Sequence, residues 1–283
     1  MTGIEAMPLD ASPATTLTMG RVTLTVHALD RVVAFYEEAV GLHLLRRDAA
    51  SAELGVGNHV LLELRHDPTA RRRSMREAGL FHTAFLLPSR TALANWTREA
   101  MRRQRPVVGA SDHAVSEAIY LSDPEGNGVE IYADRPRDQW RWENGAVAMT
   151  TDALDVEDLL AASDGAPWTG VPEESSVGHV HLQVGALDEA EAFYAGRLGL
   201  DVTCRYPGAI FFAADGYHHH LATNIWNSRK AGPRAFPSTG LSELEIHVAP
   251  ARAAGIGAGG ESDTQTPLTL ADPWGTRIAL LVR

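Results

Sequence analysis

The sequence predicts an α+β fold built from four β-α-β-β-β modules in two tandem halves. Self-similarity is the first observation behind it: AFYEEAVGLHLL at 34–45 recurs as AFYAGRLGLDVT at 192–203, about 158 residues on. Each copy follows a short alternating stretch, GRVTLTV at 20–26 and GHVHLQV at 178–184. Each half also closes on a Pro/Gly turn that feeds a strand, SDPEGNGVEIY at 122–132 and ADPWGTRIALL at 271–281. Within the halves the opening pattern restarts as GLFHTAFLL at 79–87 and GLSELEIHV at 240–248, which doubles the module count.

Residues 1–18 carry Glu5 and Asp10 and lack a basic start followed by an apolar core, so they read as a loose tail and not as a secretory signal. A first domain spans 19–135, with modules at 19–65 and 79–134. In each half the alternating stretch reads as a strand, and the Phe-Tyr segment as the end of a helix that stops at Gly41 or Gly199. The connecting segment 136–176 holds Trp140, Trp142 and a helical pattern, DVEDLLAA; it is too apolar for a flexible spacer and is expected to pack across both halves. A second domain spans 177–283, with modules at 177–226 and 240–283. Its last module is degenerate, because APARAAGIGAGGESDTQ leaves little room for a full helix.

Composition narrows the function classes. With 45% hydrophobic and 22% charged residues the chain is ordinary for a globular protein, and no apolar run approaches the ~20 residues of a membrane span. A net charge of −11 argues against a nucleic-acid partner, which needs a basic surface to displace phosphate counterions. The one basic cluster, Arg71–Arg73, reads as a solvated turn. Cys204 is the only cysteine, so there is no internal disulfide and no thiolate metal cluster, in keeping with a reducing cytoplasm. Any metal must be held by carboxylates and by some of the 12 histidines.

The tandem modules, with FY-x3-LGL-like and DPxGNxxE motifs, resemble the vicinal oxygen chelate superfamily, which includes glyoxalase I, extradiol dioxygenases, and fosfomycin and bleomycin resistance proteins. The longer phrases GLFHTAFLLPSR, GASDHAVSEAIYLSDPEGNGVEIYADRP, VAMTTDALDVEDLL and YHHHLATNIW resemble the catechol 2,3-dioxygenase group of two-domain bacterial proteins. The resemblance covers nearly everything beyond residue 18 and implies two tandem vicinal oxygen chelate domains, with cupped mixed sheets and the helices outside. It also implies a metal gripped in a sheet made by two modules, with ligands on the first and last strands.

Those positions can be compared across the modules. On the first strands they read Arg21, His82, His179 and Glu243; on the last strands, four residues after the turn glycine, they read Leu61, Glu130, His220 and Ala279. Only the second and third modules supply a ligand set: His82, Glu130 and His179, the two-imidazole, one-carboxylate triad that suits non-haem Fe(II) and leaves positions open. Mn(II) accepts the same set. His181, on the same strand face as His179, is an alternative ligand. The working site is expected between the halves, with the first and fourth modules structural.

Tyr120, ten residues before Glu130, resembles the extradiol tyrosine that hydrogen-bonds substrate oxygen, and His113 resembles the histidine near the dioxygen pocket. The run His218, His219, His220 offers an acid/base near neutrality. Register counted from Gly216 favours His220, whereas matching HHLA to ring-cleaving enzymes favours His219; a bulge would change the parity.

The resemblance therefore implies an Fe(II)-dependent extradiol dioxygenase that cleaves catechol or a simple substituted catechol with O2 to a yellow 2-hydroxymuconic semialdehyde. One alternative is a glyoxalase-like isomerase or thiol transferase, although glyoxalase I typically places a second carboxylate where this chain has His220. Another is a drug-sequestering binding protein, which would need no triad. Neither the ring substituents nor the oligomeric state follows from the sequence; a symmetric homo-oligomer is only the general expectation.

Overall fold

The computed structural model describes residues 15–256 and 267–283, so most of the expected tail lies outside the described residues. The first strand starts earlier than expected. β1 (Leu17–Val26) takes in residues assigned to the tail, and Thr16 ties it down by bonding the Asp215 carboxylate through both its amide and its hydroxyl. The rest of the first module is α1 (Leu29–Phe35), β2 (His43–Arg47), β3 (Ser51–Val56) and β4 (His59–His66). The second is β5 (Gly79–Leu86), α2 (Arg90–Arg102), β6 (Gly109–Asp112), β7 (Ser116–Ser122) and β8 (Gly128–Asp134).

The connecting segment forms three short strands, β9 (Trp142–Glu143), β10 (Ala146–Val147) and β11 (Asp152–Ala153), then α3 (Val156–Ala161). The third module is β12 (Ser176–Gln183), α4 (Leu187–Glu191), β13 (Asp201–Tyr206), β14 (Ala209–Ala213) and β15 (Leu221–Asn224). The fourth has β16 (Gly240–Val248), a six-residue α5 (Pro250–Gly255), β17 (Leu268–Ala271) and β18 (Arg277–Val282). Much of the glycine-rich stretch expected to be degenerate falls outside the described residues.

Pairing crosses the sequence halves. One sheet runs β17-β18-β16-β1-β4-β3-β2 and joins the first module to the fourth; the other runs β11-β6-β7-β8-β5-β12-β15-β14-β13 and joins the second to the third. The seam of the second sheet is the antiparallel pair β5 and β12, which sets His82 opposite His181 and Ala84 opposite His179. In parallel with β5 runs β8, with Glu130 beside Ala84. Chemistry from residues about 50 to 100 positions apart is thereby brought onto three neighbouring strands.

The repeated Phe-Tyr motif has a structural explanation. In both halves the helix widens into a π-helical turn at that point, Tyr36–Val40 after α1 and Ala192–Arg197 after α4. The wider turn carries a fully buried tyrosine to the Asp-Pro turn of the following module: Tyr194 donates to Asp272 at 2.9 Å, and Tyr36 to Asp123 at 3.5 Å. Each aspartate also accepts the backbone N–H groups that close its own turn, Glu125 and Asn127 on Asp123, Trp274 and Thr276 on Asp272. Gly41, at φ +100°, ends the first of these helices in a conformation that disfavours a side chain.

The connecting segment lies against both halves. α3 packs on α2, Val171 donates to the Gly41 carbonyl, and the buried Trp140 ring meets Tyr217 and His218, while Trp142 stays exposed. The basic cluster is not wholly solvated. Arg71 and Arg72 are exposed, but half-buried Arg73 donates to the carbonyls of Leu80 and Gly126 and so braces β5 against the Asp-Pro turn. Trp96 of α2 is fully buried and donates its indole N–H to the Ala39 carbonyl at 3.0 Å, pinning α2 to the first π-helical turn. Trp96→Ala is expected to cost about 3–5 kcal/mol, read as an earlier urea midpoint with an unchanged slope.

Candidate metal centre and active site

Three buried side chains converge where β5, β8 and β12 run side by side. His82, Glu130 and His179 are 6%, 2% and 2% exposed, and each offers a ligand atom within 4.8 Å of the others. Both imidazoles point Nε2 at one carboxylate oxygen: His82 lies 3.0 Å and His179 3.3 Å from Glu130 Oε2. His82 Nε2 is buried and makes no hydrogen bond despite that approach, so it is an orphaned polar atom aimed at a carboxylate. Lone pairs converging in this way are what a divalent cation satisfies, and leaving them bare in a dry site is costly. Burial alone would raise the Glu130 carboxyl, but His179 and His82 outweigh it and hold the group well below the usual carboxylate range. His179 is pushed down to about 4, by burial first, with Glu130 acting in the opposite direction. The donor set thus combines an ionised carboxylate, a neutral His179 imidazole and the unpaired Nε2 of His82, and it fits a metal of the Fe(II) or Mn(II) type.

The structure brings His179, not His181, to Glu130. His181 faces the same cavity, but its Nε2 is 3.0 Å from the Asn224 side-chain amide, and its ring packs between Phe81 and Trp226.

The triad sits in a cavity of about 430 Å³, within the range of small-molecule sites. Its walls are mostly apolar and aromatic, among them Phe81, Phe211, Trp226 and Met75. On one side stand two residues singled out in the sequence. His113 Nδ1 lies 2.7 Å from the Thr150 carbonyl, which can only accept, so Nδ1 carries a proton; with that proton alone on the ring, Nε2 accepts a hydrogen bond from the Tyr120 hydroxyl at 2.7 Å. Burial, then the Glu130 carboxylate, push the Tyr120 phenol well above its ordinary range. Thr150 comes from the connecting segment, a contribution that nothing in its side chain signals, because the working atom is a backbone oxygen.

The histidine run is not part of a strand. His218–His220 form the irregular approach to β15, so strand alternation does not govern them. His219 enters the cavity with its ring centroid 4.0 Å from that of His179. The expectation that His220 does so is corrected: its Nδ1 accepts the Ala214 N–H at 3.3 Å, and the ring faces a separate cleft lined by β1 and the start of β12. His218 points away from the cavity and meets Asp134.

The family model described as the Glyoxalase/Bleomycin resistance protein/Dioxygenase superfamily matches residues 18–131 and 176–280. The chain belongs to this superfamily. A superfamily relative, the catechol-2,3-dioxygenase of Bacillus subtilis (strain 168), is 43% identical over 237 residues, which cover 81% of this chain and 81% of the relative. Among solved structures, a protein of Bacillus subtilis subsp. subtilis str. 168 superposes with a TM-score of 0.63 at 12% identity, covering 94% of this chain and 85% of that one. Glyoxalase I from Zea mays superposes with a TM-score of 0.55 at 16% identity, covering 94% and 92%. These likenesses, at such low identity, speak for the superfamily fold alone.

Within that fold the other sheet carries a different arrangement at the corresponding place. Arg21 occupies the position of His179, and its guanidinium lies 3.3 Å from Glu63, 3.6 Å from Glu245 and 3.9 Å from Glu53. Glu243 and Ala279 stand where the second sheet has His82 and Glu130. A guanidinium therefore fills one cup with its own positive charge, whereas the other presents a carboxylate and two lone pairs. No helix among the described residues is long and apolar enough to cross a membrane.

Proposed function

We propose that this protein is an Fe(II)-dependent extradiol dioxygenase that takes catechol or a simple substituted catechol together with O2. The observation that carries the reading is the His82, Glu130, His179 triad opening into an aromatic-walled cavity that also holds His219, Tyr120 and His113. The 43% identical catechol-2,3-dioxygenase supports it. The described residues place no second carboxylate with the triad, which favours this reading over a glyoxalase-like one.

His82, Glu130 and His179 would hold the ion by one face. When bound, Fe(II) supplies a chelating centre for two adjacent ring oxygens and a route for electrons from the diol to O2. The protein does the rest. Phe81 and Trp226 flank the cavity, and such walls suit a flat aromatic ring and exclude water from it. Burial, and next its histidine neighbours, hold the His219 imidazole well below its usual range, so the ring is neutral and offers a bare nitrogen to a substrate hydroxyl. With its O–H directed at His113 Nε2, the Tyr120 oxygen keeps its lone pairs to accept from a second hydroxyl of the ring.

The test is anaerobic loading with Fe(II), metal analysis and aerobic addition of catechol near neutral pH. About one iron per chain and a yellow ring-cleavage product are expected. Bound metal without ring cleavage across a panel of substituted catechols would overturn the reading in favour of another metal-dependent reaction. Failure to bind any metal would favour a binding protein.

A further inference from the structure

Behind His219 a chain of polar groups leads away from the cavity, and its donors and acceptors follow one from another. His218 Nε2 lies 2.8 Å from Asp134 Oδ1, and His218 Nδ1 lies 2.7 Å from His219 Nδ1. Tyr217 donates to Asp134 Oδ2 at 2.9 Å, and the Tyr132 hydroxyl lies 2.9 Å from that of Tyr217. A carboxylate only accepts, so the proton of His218 sits on Nε2. A His218 ring that carries this single proton has a lone pair at Nδ1, and the proton between the two rings then belongs to His219 Nδ1. The remaining nitrogen of His219, Nε2, is left with its lone pair, and no described residue hydrogen-bonds it. Because Tyr217 gives its only proton to Asp134, Tyr132 donates to Tyr217, and no donor faces a donor anywhere along the chain.

The chain is built into the metal-site strand. Glu130, Tyr132 and Asp134 lie two residues apart along β8 and share one face. His218 is fully buried, with ring centroids of Tyr217 at 4.1 Å and Trp140 at 5.1 Å, so its imidazole cannot turn. Gly178 leaves the space for the Tyr132 hydroxyl, since a Cβ there would lie 1.8 Å from it.

We propose that His218 and Asp134 are positioning residues that lock His219 in its Nδ1–H tautomer and so present Nε2 to the cavity as a proton acceptor. The hydrogen bond at one imidazole nitrogen decides the state of the other, and a buried carboxylate orients an imidazole in this way in hydrolase triads; here a second imidazole stands between. The use made of the lone pair rests on the ring-cleavage reading, whereas the tautomer does not.

Two measurements on the full chain test the assignment. With 15N-labelled histidine and diamagnetic Zn(II) in the site, imidazole nitrogen spectra report which nitrogen of His219 carries the proton, its signals being identified by their loss in His219→Gln. A protonated Nδ1 and a bare Nε2 are expected in the unaltered chain and in His218→Gln, whose carboxamide can accept from His219 and donate to Asp134. In His218→Leu the tautomer is expected to mix or reverse. In parallel, Fe(II)-loaded His218→Leu is expected to lose about 10- to 100-fold in kcat with KM and iron content unchanged, and His218→Gln to recover most of that loss. A protonated Nε2 in the unaltered chain overturns the proposal, as does a tautomer that His218→Leu leaves untouched. The expected tautomer in a protein that cleaves no catechol would overturn the ring-cleavage reading and leave the positioning role standing.

Discussion

Glu130→Gln is expected to remove iron retention and catechol turnover together while leaving the fold in place. Glu130 is the only carboxylate in the ligand group, is 2% exposed, and has both histidine Nε2 atoms aimed at one of its oxygens. The substitution keeps the side chain's shape and removes its charge. In a low-dielectric cavity that charge is the main attraction for a divalent cation, because the same Coulomb term is many times weaker in water. Two imidazoles remain, the only anionic ligand of the group is gone, and an amide N–H can now face a ligand nitrogen. A bound metal contributes several kcal/mol of charge stabilisation, so at about 1.4 kcal/mol per decade the loss in kcat is at least ~10³-fold. Iron per chain and product formation measure the two effects separately. The melting temperature should fall, since removing one partner of a buried interacting group costs about 3–5 kcal/mol, so circular dichroism at the assay temperature is needed to show that the chain is still folded. A variant that retains full iron and full turnover would remove Glu130 from the metal centre.

The parts of this fold legible in the sequence were those written twice. The Phe-Tyr and Asp-Pro motifs recur because each tyrosine must reach the aspartate of the next module, as Tyr194 reaches Asp272, and only a widened helical turn puts it there. Strand alternation around GLFHTAFLL and GHVHLQV was sufficient to put His82 and His179 on one face, and the glycine turn before Glu130 fixed its distance from the strand start. The beginning of β1 was hidden because its tether is an exchange with Asp215, almost 200 residues away. Arg73 was misjudged for a similar reason. A triple-arginine stretch looks solvated until the carbonyls of Leu80 and Gly126 are seen to need its donors.

The site was legible where side chains on regular strands do the work and opaque where loops do. Thr150 acts through its backbone carbonyl, and no residue preference marks that role. Asp134 could have been found, because it follows Glu130 by four positions on the same strand face. The histidine run misled because a period of two was applied to residues that belong to no strand. Counting from Gly216 favoured His220 and the HHLA match favoured His219, and the irregular approach to β15 turns His219 inward.

That difference in orientation makes the second large loss specific to one of three adjacent, identical side chains. His219→Gln is expected to lower kcat by about 10²- to 10⁴-fold, the usual contribution of a positioned acid/base, with iron content retained. The iron measurement is needed because the His219 ring lies against His179, so a loss of metal would signal a disturbed ligand and not a missing base. His220→Ala, in contrast, removes the acceptor for the Ala214 N–H and a ring that packs 4.8 Å from that of Tyr217, both outside the cavity. Its expected cost is about 1–3 kcal/mol of stability for the unsatisfied donor, with kcat within a few-fold of the unaltered protein. KM should stay near its original value in both variants, since neither side chain belongs to the aromatic walls that hold the ring. Equal losses at the two positions would mean that the run serves catalysis only by shaping the approach to β15. A loss at His220 alone would restore the parity counted from Gly216 and place the proton acceptor in the wrong cavity, a result that no arrangement of the present hydrogen bonds accommodates.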